Sequence, residues 1–123
     1  MNKIMIVDDE MHVLRILRIS LEKHGYQVVT HNNGLDALEA LENYTPDILI
    51  TDIQMPRMSG EELCHRIVSK YPDREFSIYV LTSRTEVEHR DWSSKIDNLE
   101  FMEKPVSIRN LLNQLEKHFS EPQ

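Results

Sequence analysis

The chain is 123 residues long, 40% hydrophobic and 28% charged, with a formal net charge of −7. That length suits one domain around one core, and the composition is that of a globular chain rather than a disordered one. The acidic balance argues against non-specific nucleic-acid binding and against docking on anionic membrane surfaces, since both need basic surface.

The first segment, MNKIMIVDDE, carries a short apolar run, Ile4–Val7, that ends on Asp8, Asp9 and Glu10. The run reads as a strand, and it turns acidic too soon for a signal peptide. No stretch elsewhere approaches the ~20 apolar residues of a membrane span, so the chain reads as cytoplasmic. The one cysteine, Cys64, permits no internal disulfide, fits a reducing compartment and reads as a small buried filler.

Leu14, Leu17 and Leu21 predict a helix that stops at Gly25. Val28–Val29 predicts the second strand, and Leu35, Leu38 and Leu41 a second helical stripe ending before Pro46. Ile48–Ile50, within DILITD, predicts the third strand; Leu63, Ile67 and Val68 predict a helix from Gly60 to Tyr71. Ile78–Leu81 predicts the fourth strand, 85–95 a weaker helix containing Trp92, and Leu99–Met102 the fifth strand. Ser107 then caps a helix with Ile108, Leu111, Leu112, Leu115 and Phe119 on one face. Residues 1–120 are expected to form the domain, and 121–123 a polar tail or the start of a linker.

DILI and SIYVL are nearly continuous apolar runs, as strands covered on both faces are. Five strand–helix units with right-handed crossovers predict a doubly wound α/β/α sandwich on a parallel sheet. In such sheets ligands bind beyond the carboxyl ends of the strands. Asp8 and Asp9 follow the first strand, Asp52 the third, Thr82 the fourth and Lys104 the fifth. Each alone is an ordinary turn residue or solvated charge; together they form a candidate site. Clustered carboxylates call for a hard cation bound through oxygen, and Mg²⁺ fits best. A carboxylate can itself act as nucleophile, giving an aspartyl phosphate, with metal and lysine stabilising the transferred group.

At these residues the chain resembles a two-component response-regulator receiver domain of the CheY-like family. The resemblance runs through IMIVDDE, NNGLDALEAL, DILITDIQMPRMSGEEL, YVLTS and FMEKP, over essentially the whole chain. It implies a flavodoxin-like fold with strand order 2-1-3-4-5. It implies phosphorylation of Asp52, and Mg²⁺ held by Asp8, Asp9, Asp52 and the backbone carbonyl of Gln54. Thr82 and Phe101 match the switch pair, Lys104 the lysine that contacts the phosphoryl group, and Lys104–Pro105 a cis peptide. The implied partners are a sensor histidine kinase or phosphotransfer protein and a downstream output domain or partner protein. The implied output face is made by the fourth helix, fifth strand and fifth helix, and it allows a homodimer. The implied role is signalling, with catalysis limited to the domain's own phosphoryl transfer and dephosphorylation.

The chain departs from the family pattern at several positions. Ser83 stands where alanine is commonest and narrows access to Asp52. Arg84 and Gln54 occupy the variable flanking positions that modulate phosphoryl lifetime. KIDNLEF replaces the usual Gly-Ala step before the fifth strand, and Val106 follows Pro105 where an aromatic is frequent.

Three other functions are weaker fits. A phosphohydrolase of the haloacid dehalogenase type needs a DxD motif on the first strand. A pure interaction module needs no acid, threonine and lysine set. A flavodoxin-like cofactor binder would repel a flavin phosphate with these aspartates. Gly25, Gly34 and Gly60 are the only glycines, so no phosphate-binding loop motif exists; Gly34 and Gly60 read as structural. The histidines show no ligand spacing, and Trp92 reads as packing against its own helix's apolar side.

Overall fold

The computed structural model describes residues 2–83, 92 and 96–120. Strands β1 (Lys3–Val7), β2 (Gln27–His31), β3 (Ile48–Asp52), β4 (Ser77–Thr82) and β5 (Leu99–Glu103) form one sheet, ordered β2-β1-β3-β4-β5. Every pair is parallel: Ile4 lies between Val28 and Ile48, and Val80 between Thr51 and Phe101. Among the described residues the helices are α1 (Met11–Lys23), α2 (Gly34–Ala40), α3 (Gly60–Lys70) and the C-terminal α4 (Ile108–Ser120). The flavodoxin-like α/β/α architecture and strand order are those expected. The helix expected over 85–95 lies outside the described residues apart from Trp92, as do Arg84 and 121–123. No helix among the described residues is long and apolar enough to cross a membrane.

Strand alternation divides the core in two. Met5, Val7, Leu49, Ile78 and Val80 face α2 and α3, where they meet Ala37, Leu63, Cys64 and Ile67. Ile4, Ile6, Ile48, Ile50, Tyr79 and Leu81 face α1 and α4, where they meet Leu14, Leu17, Leu21, Leu111 and Leu115. β3 is buried at every position, which explains its unbroken apolar run.

Local signals set the helix ends. Asn33 accepts a hydrogen bond from the Asp36 N–H, Ser59 from Glu62 and Ser107 from Asn110, each satisfying a free donor of the first turn. After α1, Gly25 takes φ +90°, a conformation that glycine adopts without strain. The predicted stripe of α2 needs one correction: Leu35 is 43% exposed. Leu41 is buried and Leu38 partly buried against the same core, as the stripe predicts, but Gly34 and Ala37 take the inward places beside them, and Gly34 packs so tightly on Met58 that an added Cβ would sit 3.0 Å from it.

Candidate functional site

The carboxyl ends of β1, β3, β4 and β5 bring together most of the predicted residues. Asp8 is fully buried at the end of β1, and its backbone N–H donates to the His31 carbonyl at 3.1 Å, extending the β1–β2 ladder. Asp9, the next residue, is exposed. Asp52 is the last residue of β3 and only 5% exposed. One oxygen from each of Asp8, Asp9 and Asp52 lies within 4.8 Å of the others.

Backbone donors aim the two buried carboxylates. Glu10 N–H donates to Asp8 Oδ1 at 2.9 Å, and Ile53 N–H to Asp52 Oδ1 at 2.9 Å. Lys104, just past β5, places Nζ 3.2 Å from Asp52 Oδ1 and 3.6 Å from Asp8 Oδ2. Its own N–H donates to the Thr82 carbonyl at 2.7 Å, which ties the end of β5 to the end of β4. The Lys104–Pro105 peptide is cis, as the resemblance implied.

One lysine does not balance these acids. Burial pushes the Asp8 carboxyl above its ordinary pKa, despite the Glu10 N–H and the Lys104 charge. Burial and then the Asp8 charge push Asp52 up as well, against the pull of Lys104. Burial works against the Lys104 ammonium, but Asp52 and Asp8 outweigh it and raise its pKa. Asp8 Oδ2 is buried without a hydrogen-bond partner. A buried anionic oxygen that has no hydrogen bond and only the 3.6 Å Lys104 contact, close to two further carboxylates, suits a hard divalent cation. Mg²⁺ binds oxygens at about 2.0–2.1 Å, so its ligands lie up to roughly 4 Å apart, close to this spacing.

A carboxyl with a raised folded-state pKa stabilises the fold below the unfolded-state pKa and loses that contribution as pH rises through the folded one. Ionised Asp8 is therefore a cost at neutral pH without metal. Asp8→Asn is expected to melt above wild type in Mg²⁺-free neutral buffer, by about 1 kcal/mol, because it removes a buried charge. The gain should shrink as pH falls into the carboxylate range. Thermal melts across pH check this, and a less stable variant at neutral pH would contradict it.

The remaining predicted residues flank this centre. Thr82 is buried, and its Oγ1–H donates to the Ser83 carbonyl at 3.1 Å. Ser83 is half-buried and Gln54 exposed in the β3–α3 loop. Phe101 lies midway along β5, packed with the α2–α3 half of the core rather than among the carboxylates. The part played by Gly60 went unforeseen beyond a structural label. Its N–H donates to the Ile53 carbonyl at 2.6 Å, drawing the start of α3 against the end of β3.

The response regulator receiver domain family matches residues 4–116 of the chain. Among solved structures, the chain is similar to the chemotaxis response regulator CheY4 of Vibrio cholerae, with 28% identity, 95% of this chain and 98% of that one covered, and a TM-score of 0.83. A response regulator receiver domain protein from Clostridium thermocellum matches at 27% identity over 95% of this chain and 93% of that one, with a TM-score of 0.84. The signal receiver domain of a signal transduction histidine kinase from Syntrophus aciditrophicus matches at 26% identity over 100% of this chain and 96% of that one, with a TM-score of 0.84.

Proposed function

The chain belongs to the response regulator receiver domain family, and from that premise we propose that Asp52 accepts a phosphoryl group from the phosphohistidine of a sensor histidine kinase or phosphotransfer protein. The observation that carries this reading is the meeting of buried Asp52 and Asp8 with half-buried Lys104, one Asp8 oxygen having no hydrogen-bond partner. Residues 1–120 constitute the receiver domain in this reading, and the protein works in the cytoplasm.

Asp8, Asp9, Asp52 and the Gln54 carbonyl are the residues that would hold Mg²⁺. The ion, when bound, neutralises the carboxylates and the charge on the transferring group. An Asp52 oxygen forms the bond to phosphorus as the phosphorus–nitrogen bond breaks, and the electron pair leaves with the donor imidazole nitrogen. Lys104, already 3.2 Å from Asp52, turns its ammonium onto a phosphoryl oxygen. The Thr82 hydroxyl gives up the Ser83 carbonyl for another. Hydrolysis restores the carboxylate: water adds to phosphorus, the Asp52 oxygen leaves and inorganic phosphate is released. Ser83, half-buried beside Thr82, and Gln54, exposed in the β3–α3 loop, set how readily that water reaches phosphorus and so how long the phosphoryl group lasts; Arg84, the other position that the resemblance ties to this lifetime, lies outside the described residues.

The switch follows from charge. A phosphoryl group adds negative charge and new acceptors, Thr82 moves toward them, and Phe101 repacks into the space it vacates. The face made by the predicted fourth helix, β5 and α4 then changes its affinity for an output domain, a partner protein or a second copy of the chain. Catalysis is limited to the domain's own phosphoryl transfer and dephosphorylation.

Mg²⁺ dependence tests the metal set. Intact-mass spectrometry after incubation with acetyl phosphate is expected to show one phosphoryl adduct with Mg²⁺ and none in EDTA. Asp9→Asn should move the requirement to higher Mg²⁺. Equal labelling in EDTA would overturn the metal assignment. Repeated turnover of a small phosphoester would favour a hydrolase.

A further inference from the structure

Three aromatic side chains far apart in sequence meet on the α3 side of the sheet. The Trp92 indole lies 5.8 Å from the Phe101 ring, centroid to centroid, at an interplanar angle of 74°. The indole also lies 5.7 Å from the His65 imidazole of α3, at 60°. Both are edge-to-face contacts, the favourable arrangement for ring quadrupoles. Trp92 and Phe101 are half-buried and pack against the same core cluster as Leu63, Cys64 and Val80. His65 is in turn 3.8 Å from Glu61, one turn back along α3.

We propose that Trp92, held between His65 on α3 and Phe101 on β5, is a positioning residue that restrains the Phe101 ring and so sets how readily the site switches. A ring cannot leave an edge-to-face contact and keep its energy, so a rotamer change that carries Phe101 away from the indole gives up that contact. Phe101 sits beside Val80 on β4, two residues before Thr82. Movement of Thr82 and rotation of Phe101 therefore compete with a contact anchored on a different helix. The proposal rests on the switch reading of Thr82 and Phe101. It adds that this chain carries a counterweight to that switch, linking β5 to α3. Loss of one such ring contact corresponds to a change of about two- to tenfold in the equilibrium between the two states.

The test is a titration with fluoroberyllate in Mg²⁺, with binding followed by fluorine NMR. Trp92→Ala is expected to bind two- to tenfold more tightly than wild type, because occupancy no longer has to break the contact. Trp92→Phe keeps a ring and should stay nearer wild type than Trp92→Ala does. In a Phe101→Ala background, Trp92→Ala should change affinity no further. Trp92 is the only tryptophan in the chain, so wild-type fluorescence reports directly on its surroundings and should change on saturation. A merely structural tryptophan would lower thermal stability and leave fluoroberyllate affinity unchanged; that result overturns the proposal alone. Failure of wild type to bind fluoroberyllate overturns the phosphoacceptor reading and the proposal with it.

Discussion

Asp52→Asn is expected to take no phosphoryl group from acetyl phosphate and Mg²⁺, under conditions in which wild type takes one. The loss should be complete rather than graded. Asparagine fills the same volume, and its carbonyl can still accept the Ile53 N–H that aims Asp52 at 2.9 Å. It offers no carboxylate oxygen, so the bond to phosphorus cannot form. Both the Ile53 and Lys104 contacts fall on Oδ1. The fold should survive, since Asp52 is a carboxylate that burial and the Asp8 charge disfavour. Intact mass and a thermal melt of the same sample separate the two effects. An adduct that persists in the variant would mean that another residue is the acceptor.

Gly60→Ala is expected to be the most damaging of the glycine-to-alanine substitutions at Gly25, Gly34 and Gly60. A Cβ there would lie 2.1 Å from the Asp52 carbonyl oxygen and 2.9 Å from the Ile53 Cα. These are backbone atoms of a fully buried strand and the residue after it, so no rotamer change relieves the clash. The start of α3 must move away from the end of β3, breaking the 2.6 Å Gly60–Ile53 hydrogen bond. The cost should reach about 3 kcal/mol, a large share of the 5–15 kcal/mol that holds a typical domain together. The melting temperature should fall by roughly 10 °C. Because the displaced atoms belong to Asp52 and its neighbour, phosphorylation of the folded fraction should also slow. Gly34→Ala is the control: its Cβ would meet Met58 at 3.0 Å, a milder crowding. Equal melting of Gly60→Ala and wild type would refute the close-approach argument.

The contrast between these glycines bears on what the sequence could and could not disclose. The strands were legible because β3 and β4 are covered on both faces, so their apolar runs are unbroken. The site was legible because a parallel sheet delivers all its carboxyl ends to one edge, so Asp8, Asp52, Thr82 and Lys104 announce themselves by position. The demand for glycine at residue 60 was not, because it depends on how near α3 starts to β3, a distance set by tertiary packing. Nor was the unlike burial of Asp8 and Asp9. Two adjacent acids look alike in sequence, but only Asp8 continues the hydrogen-bonded ladder to β2 and turns inward. Leu35 misled because Gly34, packed against Met58, takes the inward place at the start of α2, while Leu38 and Leu41 face the core as the stripe predicts. The meeting of His65, Trp92 and Phe101 joins three separate segments, and no local pattern records it.

The division of the core by the sheet has a further consequence. The α2–α3 cluster and the α1–α4 cluster share no side chains, only the strands whose residues alternate between them. Each half can therefore vary in sequence almost independently, since a change of volume on one side is absorbed there and not passed through the hydrogen-bonded wall. Asp52 and Thr82 are the last residues of β3 and β4, and Asp8 and Lys104 directly follow β1 and β5, so the site sits at the rim of that wall. Such a molecule can acquire new surfaces on one flank while the other flank stays fixed, so a single rim of carboxylates, threonine and lysine can be kept while the surfaces around it change.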